Sequence, residues 1–398
     1  MEKISNLGYL MIGKESSKGT AVVPTVAIPL YSESLFTNQN LDLDNPIMAE
    51  RHGIYQILQG QRNHQGEISV LAEPKTLPHF LNMMFDKGAT TGEEAPYTHP
   101  WTLGDAEASY TFDILKGNVV HRYFGVEVRS LSPEFDDNKM KLSLNVSALG
   151  HVSIMPISSG SGTTLTLATD YDPEPAKGVH ADDTLTLVNV TGGTVDDTED
   201  VAITSINDAK TIITTASMTG TYATGDYCYI KAQVPNPTIG MPFQWARTEF
   251  RFGDTAAAAL TAAQTRLERG SKFDIVHEFE SDEGAKRSGN YDPASLLRKQ
   301  SSVDVTVKRF LDTGQELQEW IRRTKRALVI RCFGSLISGS TYNEFRITLN
   351  NLKIVESPDP LSTGEIVYVN QVLKAQYDTS DQQAFSLTVV NDVAGTSY

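Results

Sequence analysis

The sequence predicts a mainly β chain of the α+β class, in which one strand–helix–meander unit is written twice around a small inserted all-β barrel or sandwich. Three observations predict it. A strand–turn–helix pattern at residues 66–85 returns at 303–325, a run of alternating strands follows each occurrence, and a Thr/Gly/Asp-rich block separates the two. In the first occurrence Ile68, Val70 and Ala72 alternate with Glu67, Ser69 and Leu71. Pro74 and Thr76 break that period, and Leu77, Phe80, Leu81 and Met84 then recur at helical spacing. In the second, Val305 and Val307 take the places of Ile68 and Val70, an offset of 305 − 68 = 237. Thr313 then matches Thr76, and Leu317, Trp320 and Ile321 match Phe80, Met83 and Met84. Such a unit also occurs by chance in unrelated α+β domains.

In chain order, residues 1–35 read as extended, because Gly19, Pro24 and Pro29 leave no room for a helix; Val22–Leu30 reads as a strand or a strapped arm. Residues 36–62 show no period and read as a long loop in contact with a partner. Gly88–Pro100 is a turn-rich link. Tyr110–Leu115 and Val119–Leu131 read as strands about the turn at Lys116-Gly117-Asn118. In 139–152, Met140, Leu142, Leu144, Val146 and Ala148 face a core, and Lys141, Ser143, Asn145 and Ser147 form a wet, almost uncharged face.

The block 156–234 has no Arg and no Trp, and its charge is 3 − 11 = −8. Short strands at 163–168, 184–190, 201–206, 211–215 and 227–232 alternate with turn signals, with Gly160-Ser161-Gly162 reading as linker composition. Pro156, Pro235 and Pro237 flank it as rigid junctions. Beyond it, Trp245–Phe252 and Phe273–Phe279 read as strands, Ala256–Arg269 as helix or strand, and Ser281–Gln300 as a mobile loop. Then follow strand Val303–Phe310, helix Gln315–Lys325 with Thr313 and Glu316 as a capping box, and strands at 327–333, 345–355, 364–377 and 384–390. The domains are therefore 1–155, 156–237 and 238–398.

Composition narrows the function. With 398 residues, 40% hydrophobic and 21% charged, the chain is long enough for two or three cores. A formal charge of −15, from 34 basic and 49 acidic residues, argues against a surface that grips phosphates. Cys228 and Cys332 lie far apart, so no disulfide framework or thiolate metal site is indicated. No apolar run reaches membrane-spanning length and Gly8–Ile12 is too short for a signal core, so a soluble protein made in a reducing cytoplasm is expected.

Motifs for chemistry are missing. The eight histidines form no HExxH, and no GxSxG, Walker loop or GxGxxG occurs. Asp42, Asp44 and Asn45 lack the glycine and distal Glu of an EF-type loop. The acidic pairs Asp182-Asp183, Asp196-Asp197 and Glu199-Asp200 suit turns and strand edges better than a pair of carboxylates facing across a cleft. No enzyme activity and no cofactor is expected.

Gly13-Lys14-Glu15, Gly19-Thr20, Pro24 and the run Ile28-Pro29-Leu30-Tyr31-Ser32-Glu33-Ser34 resemble the opening of bacteriophage tail tube proteins, also called major tail proteins. Gly66-Glu67-Ile68 with the helix after it is similar to the body of that family. The resemblance covers about residues 8–150 directly and 241–398 through the repeat. It implies two β-sandwich or rolled-sheet domains, each flanked on the outside by its helix, whose sheets join those of neighbours into rings. The rings stack into a tube for genome ejection. Two tube domains per chain then imply homotrimeric, pseudo-hexameric rings.

The same resemblance implies DNA and a tape measure protein in the lumen, a tail terminator and baseplate or tip proteins at the tube ends, and no membrane. The place would be the virion, after synthesis in the host cytoplasm. On this reading Lys141, Ser143, Asn145 and Ser147 line the lumen, and Asp42, Asp44, Arg51, Arg62, Glu283, Lys286 and Arg287 contact the adjacent ring. The insert would project outward as a decoration. The alternative from another class is a glycan-binding adhesin or tail-associated host-recognition protein that uses the insert.

Overall fold

The computed structural model describes residues 8–44, 56–104, 108–136, 139–170, 172, 174–208, 211–214, 217–235, 237, 240–265, 267, 271–279, 288, 291–310, 315–357, 368–380 and 382–398. With 59% strand and 7% helix the protein is mainly β. The first copy contains β1 (Leu10–Lys14), β2 (Val26–Ile28), β3 (Leu30–Glu33), β4 (Phe36–Asp44), β5 (Gln56–Leu71), α1 (Leu77–Asn82), β6 (Asp86–Lys87), β7 (Tyr97–Thr102), β8 (Tyr110–Lys116), β9 (Val119–Asp136), β10 (Lys139–Ala148) and β11 (Gly150–Val152). The insert contains β12 (Ile154–Ser161), β13 (Thr164–Leu167), β14 (Thr184–Thr191), β15 (Thr194–Ile206), β16 (Thr211–Thr214), β17 (Tyr222–Ala223) and β18 (Tyr227–Ile230). The second copy contains β19 (Thr248–Gly253), α2 (Ala256–Thr261), β20 (Lys272–Phe279), β21 (Arg298–Phe310), α3 (Gln315–Arg322), β22 (Arg326–Ser338), β23 (Thr341–Glu356), β24 (Tyr368–Ala375) and β25 (Phe385–Asn391).

The repeat extends to the hydrogen-bonded topology. In the first copy β1 pairs β8, β8 pairs β9, β9 pairs β10, β10 pairs β5, β5 pairs β4, and β9 pairs β11. In the second, β19 pairs β22, β22 pairs β23, β23 pairs β24, β24 pairs β21, β21 pairs β20, and β23 pairs β25. Register follows the sequence offset: Ile68 and Val70 oppose Leu144 and Leu142, while Val305 and Val307 oppose Leu373 and Gln371.

Two junctions fuse the copies. β20 adds to the edge of β9, with Ile275 opposite Leu131 and Val276 opposite Ser130. β7, an excursion of the first copy, pairs the outer side of β25. One hydrophobic core runs through both copies, from Leu10, Ile68 and Leu144 to Ile275, Val305 and Phe385. That core holds by the burial of apolar surface, about 25 cal/mol per Å².

Strand β9 serves two layers. Residues up to Val126 pair β8 and β11, and those from Glu127 on pair β10 and β20. The bend falls at Gly125, whose φ of +62° suits glycine and whose added Cβ would lie 2.7 Å from the Leu149 side chain. Glu15 fixes the bend: its buried carboxylate accepts from the Gly125 N–H at 2.8 Å, the Gly19 N–H at 2.9 Å and the Ser109 and Thr111 hydroxyls.

The insert is a closed six-stranded antiparallel barrel in the order β12–β13–β16–β15–β14–β18, with β18 returning to β12 and β17 lying on β12. Its first strand begins at Ile154, and Gly160-Ser161-Gly162 ends that strand and turns into β13, with Gly162 at φ +57°. Val120 and Val152 of the body pack into its core. Arg122 bolts it in place: the buried guanidinium meets Asp113 at 2.7 and 2.8 Å on one side and Asp183 of the insert on the other.

Several expectations change. Residues 36–44 and 56–62 are strand, not loop; both faces of this hairpin are wet at its outer end, so no alternation marks it. Gly88–Pro100 contains the start of β7. The helix expected outside the first sheet is buried at all six positions, with Trp101 Nε1–H donating to Asn82 at 2.7 Å and the Tyr398 ring 5.1 Å from His79. Ala256–Arg269 is helical only as far as Thr261. Thr313 of the expected capping box lies outside the described residues.

Candidate functional site: a polar sheet face and open strand edges

Alternation along β5, β10, β9, β20, β21, β24 and β23 puts Ile68, Leu144, Leu131, Ile275, Val303 and Leu373 into the core. The residues between them make a polar face that crosses both copies. One row runs Ser69, Ser143, Ser132, Asp274, Asp304, Lys374, Lys353, each opposite the next in register or bonded to it. A neighbouring row runs Glu67, Asn145, Ser130, Val276 and Ser302, with Asn145 donating to Ser130 Oγ at 2.7 Å.

Acidic and basic groups are mixed on this face. Lys141 and Lys272 flank Glu134, Lys374 lies 3.4 Å from Asp304, and Glu67, Arg129, Lys139, Asp274, Lys308 and Lys353 lie among them. The face thus carries charges of both signs rather than being almost uncharged, and the overall negative charge is not concentrated on it. A groove of 520 Å³ opens on it between Phe36, Glu67, Arg129, Asn145 and Val276.

Lys141, Ser143 and Asn145 lie on this face as expected from the alternation. Ser147 is not exposed there: it lies at the end of β10, 5% exposed opposite the buried Glu127, beyond a bulge whose extra residue is Arg129 of β9. Glu127 is itself buried, beneath Lys18 and Arg298. Of the residues expected to contact an adjacent ring, Asp42 and Asp44 fall on β4, opposite Leu58 and Gln56. Arg51, Glu283, Lys286 and Arg287 lie outside the described residues. Arg62 is no loop residue; it is buried in β5, bonds Asp172 of the insert at 2.8 Å, and lies under Tyr291.

Beside Arg62 runs a histidine relay that the sequence did not reveal, because its members come from separate strands. Asp292 Oδ1 meets His64 Nε2 at 3.1 Å, and Thr37 Oγ1 sits 2.9 Å from both His64 Nδ1 and His151 Nδ1. His151 Nε2 lies 3.1 Å from His121 Nδ1, and the Tyr123 ring stacks on His151 at 4.4 Å. Burial, then the neighbouring His64, His121, Lys116 and Arg62, hold the His151 imidazole well below its usual pKa; burial and Lys116 lower His121. The relay ties β4, β5, β9 and β11 to the loop before β21 through a chain of hydrogen bonds.

Among the described residues no group of three or more His, Cys, Asp or Glu could hold a metal ion. Both cysteines are buried, and burial pushes the Cys332 thiol up to about 12. No described helix is long and apolar enough to cross a membrane.

The open edges are the remaining feature. The outer side of β4 and the outer side of β23 at residues 353–356 pair with no strand among the described residues. The two-stranded arm of β4 and β5 carries Leu41, Leu43 and Ile57 on one face, 54%, 47% and 59% exposed, with Leu58 on the other. No protein family matches this chain, and no curated protein matches it.

Proposed function

We propose that the chain is a structural subunit of a bacteriophage tail tube, assembling into stacked trimeric, pseudo-hexameric rings around a channel for DNA. The observation that carries this reading is the β9–β20 junction, where the sheets of two equivalent units join edge to edge and keep one polar face continuous. A sheet that extends by edge addition and still has open edges is suited to closing on further copies, which removes those edges. The polar face would then line the lumen. Its basic residues are interleaved with Glu67, Glu134, Asp274 and Asp304, which would weaken any hold on phosphates and let DNA pass.

The barrel, bolted by Arg122 and Asp183, supplies an outward module on this reading. DNA and a tape measure protein would be lumen partners, terminator and baseplate or tip proteins would meet the tube ends, and the working location would be the virion. Negative-stain microscopy of the purified chain tests it. Rings or tubes with three outer knobs per layer are expected; a monomer at every concentration and salt condition would sink the reading.

A further inference from the structure

The junction between the two copies has a counterpart that a single chain leaves open. Within the chain, β20 adds to β9, and Arg298 at the start of β21 donates to the carbonyl oxygens of Met83 and Met84, just past α1. Phe80, Met83 and Met84 are wholly buried there. Moved along by the repeat, Met83 and Met84 become Trp320 and Ile321, which are 40% and 73% exposed. Rotation of α3 cannot hide them, because Glu319 on its inner side is buried and bonded to Arg326 at 2.9 Å and to Arg309.

The strand edges obey the same rule. β9 beyond Val126 has β10 on one side and receives β20 on the other. Its counterpart in β23, residues 353–356, has β24 on one side and an open edge on the other among the described residues, with Val355 exposed. α3 lies against this same strand. The missing piece stands at the opposite end of the chain. The β4–β5 arm is the counterpart of β20–β21, and 298 − 237 = 61 places the equivalent of Arg298 at Gln61 near the base of the arm, on the strand that carries Ile57 and Leu58. A two-stranded ribbon with an uncovered apolar face is marginal alone, and the arm's apolar residues match the exposed pair on α3 in kind.

We infer that the β4–β5 arm of one chain docks on a second copy of this chain, β4 adding to the open edge of β23 and the arm covering Trp320 and Ile321. The contact is head-to-tail, so it repeats from chain to chain and closes into a ring where the rotation permits. It deepens the tube-subunit reading, on which it rests for its stoichiometry only. It also moves the arm from contacts between rings to the seam within a ring.

Two variants of the full chain test it. Ile57→Cys combined with Ile321→Cys is expected to give a ladder of disulfide-linked dimers and trimers on mild oxidation, absent from either single variant; Cys228 and Cys332 are buried. Trp320→Asp with Ile321→Asp is expected to leave the monomer's melting temperature unchanged. It should raise the concentration for half-assembly at least about thirtyfold, the loss of one hot-spot contact. Rings that form without the ladder and ignore the Asp substitutions overturn the inference while the tube reading stands. A ladder without rings or tubes supports the inference and overturns the tube reading. A chain that stays monomeric overturns both.

Discussion

The barrel and the body answer the same problem in opposite ways. Both are antiparallel sheets with hydrophobic interiors, yet the barrel returns β18 to β12 and closes, while the body joins two sheets and still leaves β4 and the end of β23 open. A closed sheet has no hydrogen-bonding groups left to offer, whereas an open one is a template for the next strand. On the tube reading, the difference would separate a carried module from an assembling body. They depend on each other at the bolt, where Arg122 of β9 reaches Asp183, at Val120 and Val152, which the body lends to the barrel core, and where Arg62 bonds Asp172.

The largest expected effect falls on that bolt. Arg122→Met would leave Asp113 and Asp183 buried without their cation, at a cost of about 3–5 kcal/mol in urea denaturation. Burial already raises the Asp113 pKa, with the guanidinium working against it. A variant whose barrel and body still unfold together at the wild-type midpoint would show the bolt to be dispensable. Next come the equivalent core positions. Ile68→Ala and Val305→Ala should each cost about 2–5 kcal/mol and lower one common transition, since both lie in a single core. Two separate transitions, each sensitive to one substitution, would split the body into independent halves.

Acid should then tell body from barrel. His79 is lowered to about 4, by burial first and by Lys14 and Lys87, and burial also lowers His99, His121 and His151. A histidine with a depressed folded pKa costs nothing above its unfolded value of about 6.5 and destabilises the fold progressively as pH falls from there. His79 alone accounts for about 3 kcal/mol by pH 4. In the barrel, Glu199 and Asp200 are lowered, through hydrogen bonds from Thr219 and from Lys231 respectively that outweigh any desolvation. Their contribution persists until pH drops below the ordinary carboxylate range. Thermal melts between pH 7 and 4 should therefore weaken the body before the barrel. The smallest effect belongs to the polar face: Lys141→Ala with Ser143→Ala should change monomer stability by no more than about 0.5 kcal/mol.

What was legible in the sequence follows where burial was one-sided. β10, β21 and β23 announce themselves through alternation, and the offset between Ile68 and Val305 carries over into the register. β4 and the start of β5 were illegible because water lies on both faces, and β7 because Pro96 and Pro100 suggest a turn where a strand runs between β6 and β25. The polar row of the face could be read within β10 but not across strands, since Ser132, Asp274 and Lys374 come together only through pairing. Ser147 was misplaced because the end of β10 is covered, where Glu127 opposite it lies beneath Lys18 and Arg298. Arg62 and the histidine relay join residues more than a hundred positions apart, beyond the reach of any local pattern.

The β9–β20 pairing also bears on kinetics. Because both partners belong to one chain, that seam forms during folding as a first-order event, at the effective concentration of tethered segments, in the millimolar range for short tethers. On the docking inferred above, the second seam alone would wait on collisions between chains. Diluting the protein would thus melt alternate seams and spare the rest, and any growing assembly would gain two sheet units for each successful encounter.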